Sequence, residues 1–244
     1  MLNISPKRAS RITAGAWLNE MGMAEREHVV LVHGLWMRGE VMTWMARRLN
    51  KAGYVAHTYT YPSVRIGISE NARRLAAFCR PLQTQGARRL HLLGHSLGGL
   101  LVARTLELLE ATRGVEIGRV VLMGAPFADS AAARRLSSFN PMREALGASV
   151  AEWFASARPA NLGRYEIGVI AGTRALGLGV VFVRNLARPH DGTISVSETR
   201  VPGARDHIVM NVSHSGMVIS PRVIREVCEF LATGAFTLGA TRCE

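Results

Sequence analysis

Gly94-His95-Ser96-Leu97-Gly98-Gly99 lies between the apolar run Leu90 to Leu93 and a second apolar run that opens at Leu100 and carries Arg104 and Glu107. The order reads as strand, sharp turn, helix. A serine at such a turn projects its hydroxyl off the end of a strand, and the flanking glycines permit a strained backbone and close packing of helix on strand. The stretch is therefore read as a nucleophile elbow with Ser96 at its tip. The competing reading is a turn serine that caps the following helix.

Working outward, five more short runs rich in Val, Ile and Leu do not alternate with polar residues, the pattern of strands buried on both faces. They are His28 to Val32, Tyr54 to Tyr59, Arg119 to Met123, Glu166 to Ala171 and His207 to Val212. Segments of helical period lie between most of them. Val41 to Lys51 ends at Gly53, a C-terminal glycine. Ser69 to Leu82 opens on a serine read as its cap, and Leu97 to Thr112 follows the elbow. Pro221 to Leu231 has Ser220 as cap and proline in its first turn. Strands alternating with helices imply crossover units, hence an α/β fold with a mostly parallel six-stranded sheet and helices on both faces. Pro126 to Arg164, rich in alanine and arginine and carrying Trp153 and Phe154, reads as a small helical insertion, a cap over residues 126–164. Thr173 to His190 is apolar and glycine-rich. Both leave the carboxyl ends of strands, where open α/β sheets bind ligands. The expected organisation is an N-terminal extension over 1–27, one domain over 28–233 and a tail over 234–244.

A serine hydroxyl needs a base within hydrogen-bond reach, and the base needs an orienting carboxylate. With an elbow serine the chain order is Ser, acid, His. His214, in Val212-Ser213-His214-Ser215-Gly216-Met217, sits after the last strand and before the last helix, and is taken as the base. His207 begins the strand itself and reads as structural. The aspartates are Asp129, Asp191 and Asp206. Asp191, after the fifth strand, is the preferred acid, with Asp206, Asp129 and Glu198 as alternatives. Backbone donors for an oxyanion are expected at Leu97, after the nucleophile, and at Leu35, in the loop His33-Gly34-Leu35-Trp36 after the first strand. His33 reads as structural, shaping this loop, and His95 as the variable residue of the elbow. Trp36, Met37, Met217 and the apolar segment Leu176 to Phe182 are candidates to line a substrate pocket, or ordinary core.

The chain resembles serine hydrolases of the α/β-hydrolase superfamily, above all small bacterial esterases and lipases of the class 2 kind, with some likeness to PGAP-like acyl-ester hydrolases. The resemblance covers about residues 28 to 233. It rests on Val29-Val30-Leu31-Val32-His33-Gly34-Leu35, Gly94 to Gly99, Val120 to Pro126, Asp191-Gly192-Thr193-Ile194-Ser195-Val196 and Ser213-His214-Ser215-Gly216-Met217. It implies the triad Ser96, Asp191 and His214, oxyanion donors at Leu35 and Leu97, no metal and no cofactor. The expected reaction is hydrolysis of carboxylic esters of short to medium, lipid-like acyl chains. An acyltransferase or a thioesterase would use the same triad, and a silent binding protein would keep only the fold. Residues 1–27 show no convincing strand pair, so a minimal sheet is expected, and an insertion this small argues against strong interfacial activation.

The rest of the composition narrows the partners. The chain has 244 residues and a net charge of +12, nearly all from arginine, since lysine occurs only at Lys7 and Lys51. The basic residues are scattered as short pairs such as Arg47-Arg48 and Arg88-Arg89, without the stripe and interleaved aromatics of a nucleic-acid binder. Nucleic acid is not expected; a small-molecule or lipid ester is, with weak association to an anionic membrane surface as a lesser expectation. Cys79, Cys228 and Cys243 form neither a disulfide framework nor a zinc spacing, which points to a reducing compartment. No apolar run reaches the roughly 18 residues of a membrane span. The N-terminus matches a signal peptide poorly, with Met21 and Met23 as alternative starts, and the cytoplasm is expected. Oligomeric state is left open.

Overall fold

The structure, a computed structural model, describes residues 26–84, 87–110, 116–138, 140–176 and 186–237. Six strands form one sheet: β1 (His28–Val32), β2 (Val55–Tyr59), β3 (Leu90–His95), β4 (Ile117–Met123), β5 (Glu166–Gly172) and β6 (Asp206–Met210). Their order is β2-β1-β3-β4-β5-β6. Every pairing is parallel, so the sheet expected to be mostly parallel is wholly so among the described residues.

Alternate residues of the central strands β1, β3, β4 and β5 enter two separate cores, which is why these strands read as unbroken apolar runs; the edge strand β6 serves only one of the cores and exposes Val209. Val30, Val32, Leu92 and Val120 pack with Leu75 of α2 (Ile68–Thr84) and Leu101 of α3 (Leu97–Glu110) on one face. Val29, Leu31, Leu93 and Val121 pack on the other with Leu49 of α1 (Thr43–Lys51) and Phe230 of α6 (Pro221–Thr233). The insertion forms α4 (Ala131–Ser137) and α5 (Asn140–Ala155), the latter broken at Gly147. Leu146, Val150 and Trp153 join the first core, so the insertion is seated on the sheet's upper edge by apolar burial.

Two of the expected helix-end signals stand in the structure. Gly53 takes a positive φ of 97° just past α1, and Ser220 caps α6 by accepting the Val223 N–H. Ser69 does not cap α2: it lies inside the first turn, and its N–H donates to Glu152 Oε1 of the insertion at 3.3 Å. That long-range acceptor replaces the local cap. Most of the apolar segment Leu176 to Phe182 lies outside the described residues, as do Cys243 and most of the expected extension and tail. Among the described residues, no helix is long and apolar enough to cross a membrane.

Candidate active site

The parallel register aligns the carboxyl ends of the strands. Val32 pairs with Gly94, His95 with Met123, and Gly172 with Met210. The residues just beyond these ends therefore converge on one edge. Ser96 is the first residue past β3 and has a φ of 54°, left-handed backbone that a non-glycine residue adopts only under constraint. Its N–H donates to Met123 C=O at 2.9 Å, and its own carbonyl accepts from Gly99 N–H at 2.9 Å. A Cβ on Gly98 would lie 2.3 Å from His33 O and 2.4 Å from Val32 O, so only glycine lets α3 begin this close to β1.

His214 comes four residues after β6. Its Nε2 is 3.0 Å from Ser96 Oγ and its Nδ1 is 2.7 Å from Asp191 Oδ2. With Nδ1 facing a carboxylate, the proton belongs on Nδ1, and Nε2 is left bare toward the serine. Asp191 is 1% exposed. Its Oδ1 accepts the N–H groups of Thr193 at 2.9 Å and Ile194 at 2.7 Å, so this buried carboxylate is held by three hydrogen bonds, as burial of a charge requires. The other acid candidates are engaged elsewhere. Asp206 Oδ2 accepts the Phe236 N–H at 2.8 Å, and Asp129 pairs with Arg134. The buried Glu198 carboxylate accepts N–H groups from Ala131 and Ser195, tying the start of α4 to the loop that carries Asp191. His207 Nε2 lies 3.2 Å from Thr199 Oγ1, away from the serine.

The loop after β1 is shaped by His33. Its Nδ1 donates to Gly34 C=O at 2.8 Å, and its Nε2 accepts the Tyr61 N–H at 3.2 Å. The ring stacks on Tyr61 with centroids 4.5 Å apart, and burial pushes its pKa down, keeping it neutral in this tautomer. A trans peptide sets its C=O and N–H in opposite directions, so with Gly34 C=O turned to His33 the Leu35 N–H points the other way. The Trp36 N–H is taken by Ser63 Oγ at 3.2 Å.

Above Ser96 lies an apolar cavity of about 360 Å³. Gly34, Leu35, Leu97 and His214 border its floor. Trp36 and Met37 line it as expected from the sequence; Met217 does not. Met217 is fully buried with Val218 and Phe230, close beneath Asp191 and His214, because the turn Ser215–Val218 rotates it inward. The wall comes instead from the insertion: Leu136, Met142, Leu146, Val150, Trp153 and Phe154. The spacing of Leu146, Val150, Trp153 and Phe154, at i, i+4, i+7 and i+8, is the sequence signal for that wall.

The profile of the Alpha/beta hydrolase family matches residues 29–229. A comparison with curated protein sequences returned no match. Among solved structures, the mature lipase BlEst2 of Bacillus licheniformis superposes with a TM-score of 0.69 at 21% identity, covering 84% of this chain and 92% of that one. The monoacylglycerol lipase of Paleococcus ferrophilus gives 0.58 at 18% identity over 86% and 96% of the two chains. The RedJ thioesterase of the prodiginine pathway in Streptomyces coelicolor gives 0.58 at 12% over 87% and 92%. Identities this low speak for the fold. With the profile running from within β1 into α6, across the turn at Ser96 and the loop of His214, the chain belongs to the alpha/beta hydrolase family.

Proposed function

We propose that the protein hydrolyses carboxylic esters through an acyl-enzyme on Ser96. The observation that carries this reading is the chain of contacts from Ser96 Oγ to His214 Nε2 at 3.0 Å and from His214 Nδ1 to Asp191 at 2.7 Å, on the floor of an apolar cavity. Ser96 Oγ attacks the ester carbonyl carbon while His214 Nε2 takes its proton. The resulting oxyanion is met by the N–H groups of Leu97 and Leu35, with the positive end of α3 behind it. The carbon–oxygen bond to the alcohol breaks as His214 returns the proton to the leaving oxygen. Water then adds to the acyl-enzyme, giving its proton to His214, and the acid departs as Ser96 regains its hydrogen. Asp191 keeps the imidazole in the required tautomer and stabilises the imidazolium formed in both halves.

A cavity of about 360 Å³ stands at the lower end of the range for small-molecule sites, about 300 to 1,000 Å³. That size and its apolar wall favour short to medium acyl chains. The test is labelling with a fluorophosphonate, on wild type and Ser96→Ala, with the modified peptide located by mass spectrometry. Labelling confined to Ser96 and lost in the variant is the expected result; labelling that persists in Ser96→Ala, or none of the folded wild type, overturns the reading. A series of p-nitrophenyl esters then tests the acyl class. kcat/KM should rise about fourfold per added methylene, from about 0.8 kcal/mol each, until the cavity is full.

A further inference from the structure

The backbone of His214 is tied on both sides. Its N–H donates to Asp191 C=O at 2.9 Å, and its carbonyl accepts from His95 Nε2 at 3.0 Å. His95 directly precedes Ser96, so the two polar backbone groups of the base are bonded to the acid residue and to the neighbour of the nucleophile. The same carbonyl accepts a longer bond, 3.4 Å, from Met217 N–H within its own turn. His95 thus supplies the contact from outside the base loop. One attachment fixes where a loop residue is; a second fixes how it is turned.

The His95 ring suits this task. It is fully buried and lies tilted by 47° against the His214 ring, centroids 4.9 Å apart. Because Nε2 donates to a carbonyl, the proton sits there and Nδ1 is bare. Nδ1 has no hydrogen-bond partner among the described residues and faces the Gly34 backbone, where a Cβ would be 3.2 Å away. Burial first, and then the neighbouring His214, push the His95 pKa down to about 3, so the ring stays neutral and keeps this tautomer.

We propose that His95 is a positioning residue: its Nε2–H turns the His214 backbone so that His214 Nε2 meets Ser96 Oγ. The proposal rests on the reading of Ser96 and His214 as nucleophile and base. A residue that only filled the space would be replaceable by any side chain of similar size, whereas this role needs the N–H. His95→Leu removes the donor, and His95→Gln restores an N–H of similar reach. The readouts are the rate of fluorophosphonate labelling at Ser96, kcat and KM on a short p-nitrophenyl ester, and the thermal unfolding midpoint.

His95→Leu is expected to lower the labelling rate and kcat about tenfold, the scale of a small misplacement of a reacting group. KM should stay within about twofold, since the apolar wall from the insertion is untouched. His95→Gln should recover most of the loss. A folded His95→Leu that labels at the wild-type rate, or a His95→Gln no better than His95→Leu, overturns the proposal. If His95→Leu does not fold, His95→Phe, which keeps the flat ring without the donor, takes its place against His95→Gln. Wild-type protein that is not labelled at Ser96 fails the triad reading itself and this proposal with it. Labelled wild type with an equally fast donorless variant fails the His95 role alone.

Discussion

The carboxyl edge of the sheet and the helical insertion above it enclose one cavity, yet they are held by different kinds of contact. At the edge, main chain fixes main chain. Ser96 N–H bonds Met123 C=O, His214 N–H bonds Asp191 C=O, and the Leu97–Gly98 turn packs directly on the Val32 and His33 carbonyls. In the insertion one main-chain bond, Ala148 N–H to Val64 C=O at 2.7 Å, is joined by several side-chain contacts. Ser149 Oγ donates to Ile66 C=O at 2.6 Å, Trp36 Nε1 donates to Ala145 C=O at 2.7 Å, and Arg158 stacks over Trp153 while donating to the carbonyls of Trp153 and Phe127. Main-chain attachment leaves little room for drift, which suits groups that must meet within a hydrogen bond's tolerance. Side-chain attachment can be revised one residue at a time, which suits a wall that would select acyl groups in the proposed reaction.

The largest expected effect breaks the main-chain half. Gly98→Ala drives a methyl into the Val32 and His33 carbonyls, neither of which can swing aside. Overpacking of this kind costs about 3 kcal/mol, or about 6 to 12 °C in the unfolding midpoint of a chain this size, and should also slow labelling of Ser96. The matching change in the insertion is Gly147→Ala. Gly147 has a φ of 77°, and its Cβ would lie 2.3 Å from Val64 O. That strain can be relieved by undocking part of α5, so acyl-chain preference should change more than the unfolding midpoint. Calorimetry and the p-nitrophenyl series on both variants check this. A Gly98→Ala protein with wild-type stability and labelling would remove the distinction.

How much of this was legible in the sequence follows the same division. The sheet was readable because both faces of its central strands are buried, which writes continuous Val, Ile and Leu runs. The turn at Ser96 and the loop of His214 were readable as features because main-chain packing demands particular residues at fixed offsets, such as Gly94 and Gly98 about Ser96. Met217 was open to both readings, pocket lining or core, because a methionine next to the His214 loop looks the same in sequence whether its turn faces up into a cavity or down into the core. His95 looked like the free position of its motif because its partner is a carbonyl 119 residues away, and a carbonyl leaves no mark in sequence. The cavity wall was carried by a helical spacing in the insertion, but which face of that helix looks at Ser96 depends on contacts from Val64, Ile66 and Trp36, far away in the chain.

A smaller effect follows from where the histidines are. Residues 126–164 contain none. His33, His57, His91, His95 and His207 all belong to the sheet or the loops at its edges, and burial pushes the pKa of each below the ordinary 6.5, that of His95 to about 3. At His91 the nearby Glu27 opposes the shift without cancelling it. The unfolded chain takes up protons near pH 6.5 that the folded chain refuses. Stability is therefore full above about pH 6.5 and declines as pH falls below it, levelling for His95 only near about 3. Unfolding midpoints measured from about pH 7 down to about pH 4.5 should fall steadily, and His95→Gln should flatten the slope. A slope unchanged in that variant would mean that the other histidines carry the whole acid response.

The smallest effect lies where the two halves touch. Trp36 follows the proposed oxyanion donor Leu35, has a φ of 60°, and is 56% exposed, yet its indole N–H reaches the Ala145 carbonyl of α5. Water competes for so exposed a bond, so its net worth is about 0.5 to 1.5 kcal/mol. Trp36→Phe keeps a ring at the cavity mouth and removes only that bond. If the indole serves the insertion, the wall loosens and KM rises, by up to about tenfold for a bond of that strength. kcat and the labelling rate at Ser96 should then hold, because the peptide that carries the Leu35 N–H is fixed from the other side by His33. A fall in kcat at constant KM would mean the reverse: that the insertion steers the loop after β1, and that the chemistry depends on the side-chain contacts as well as on the main-chain frame beneath them.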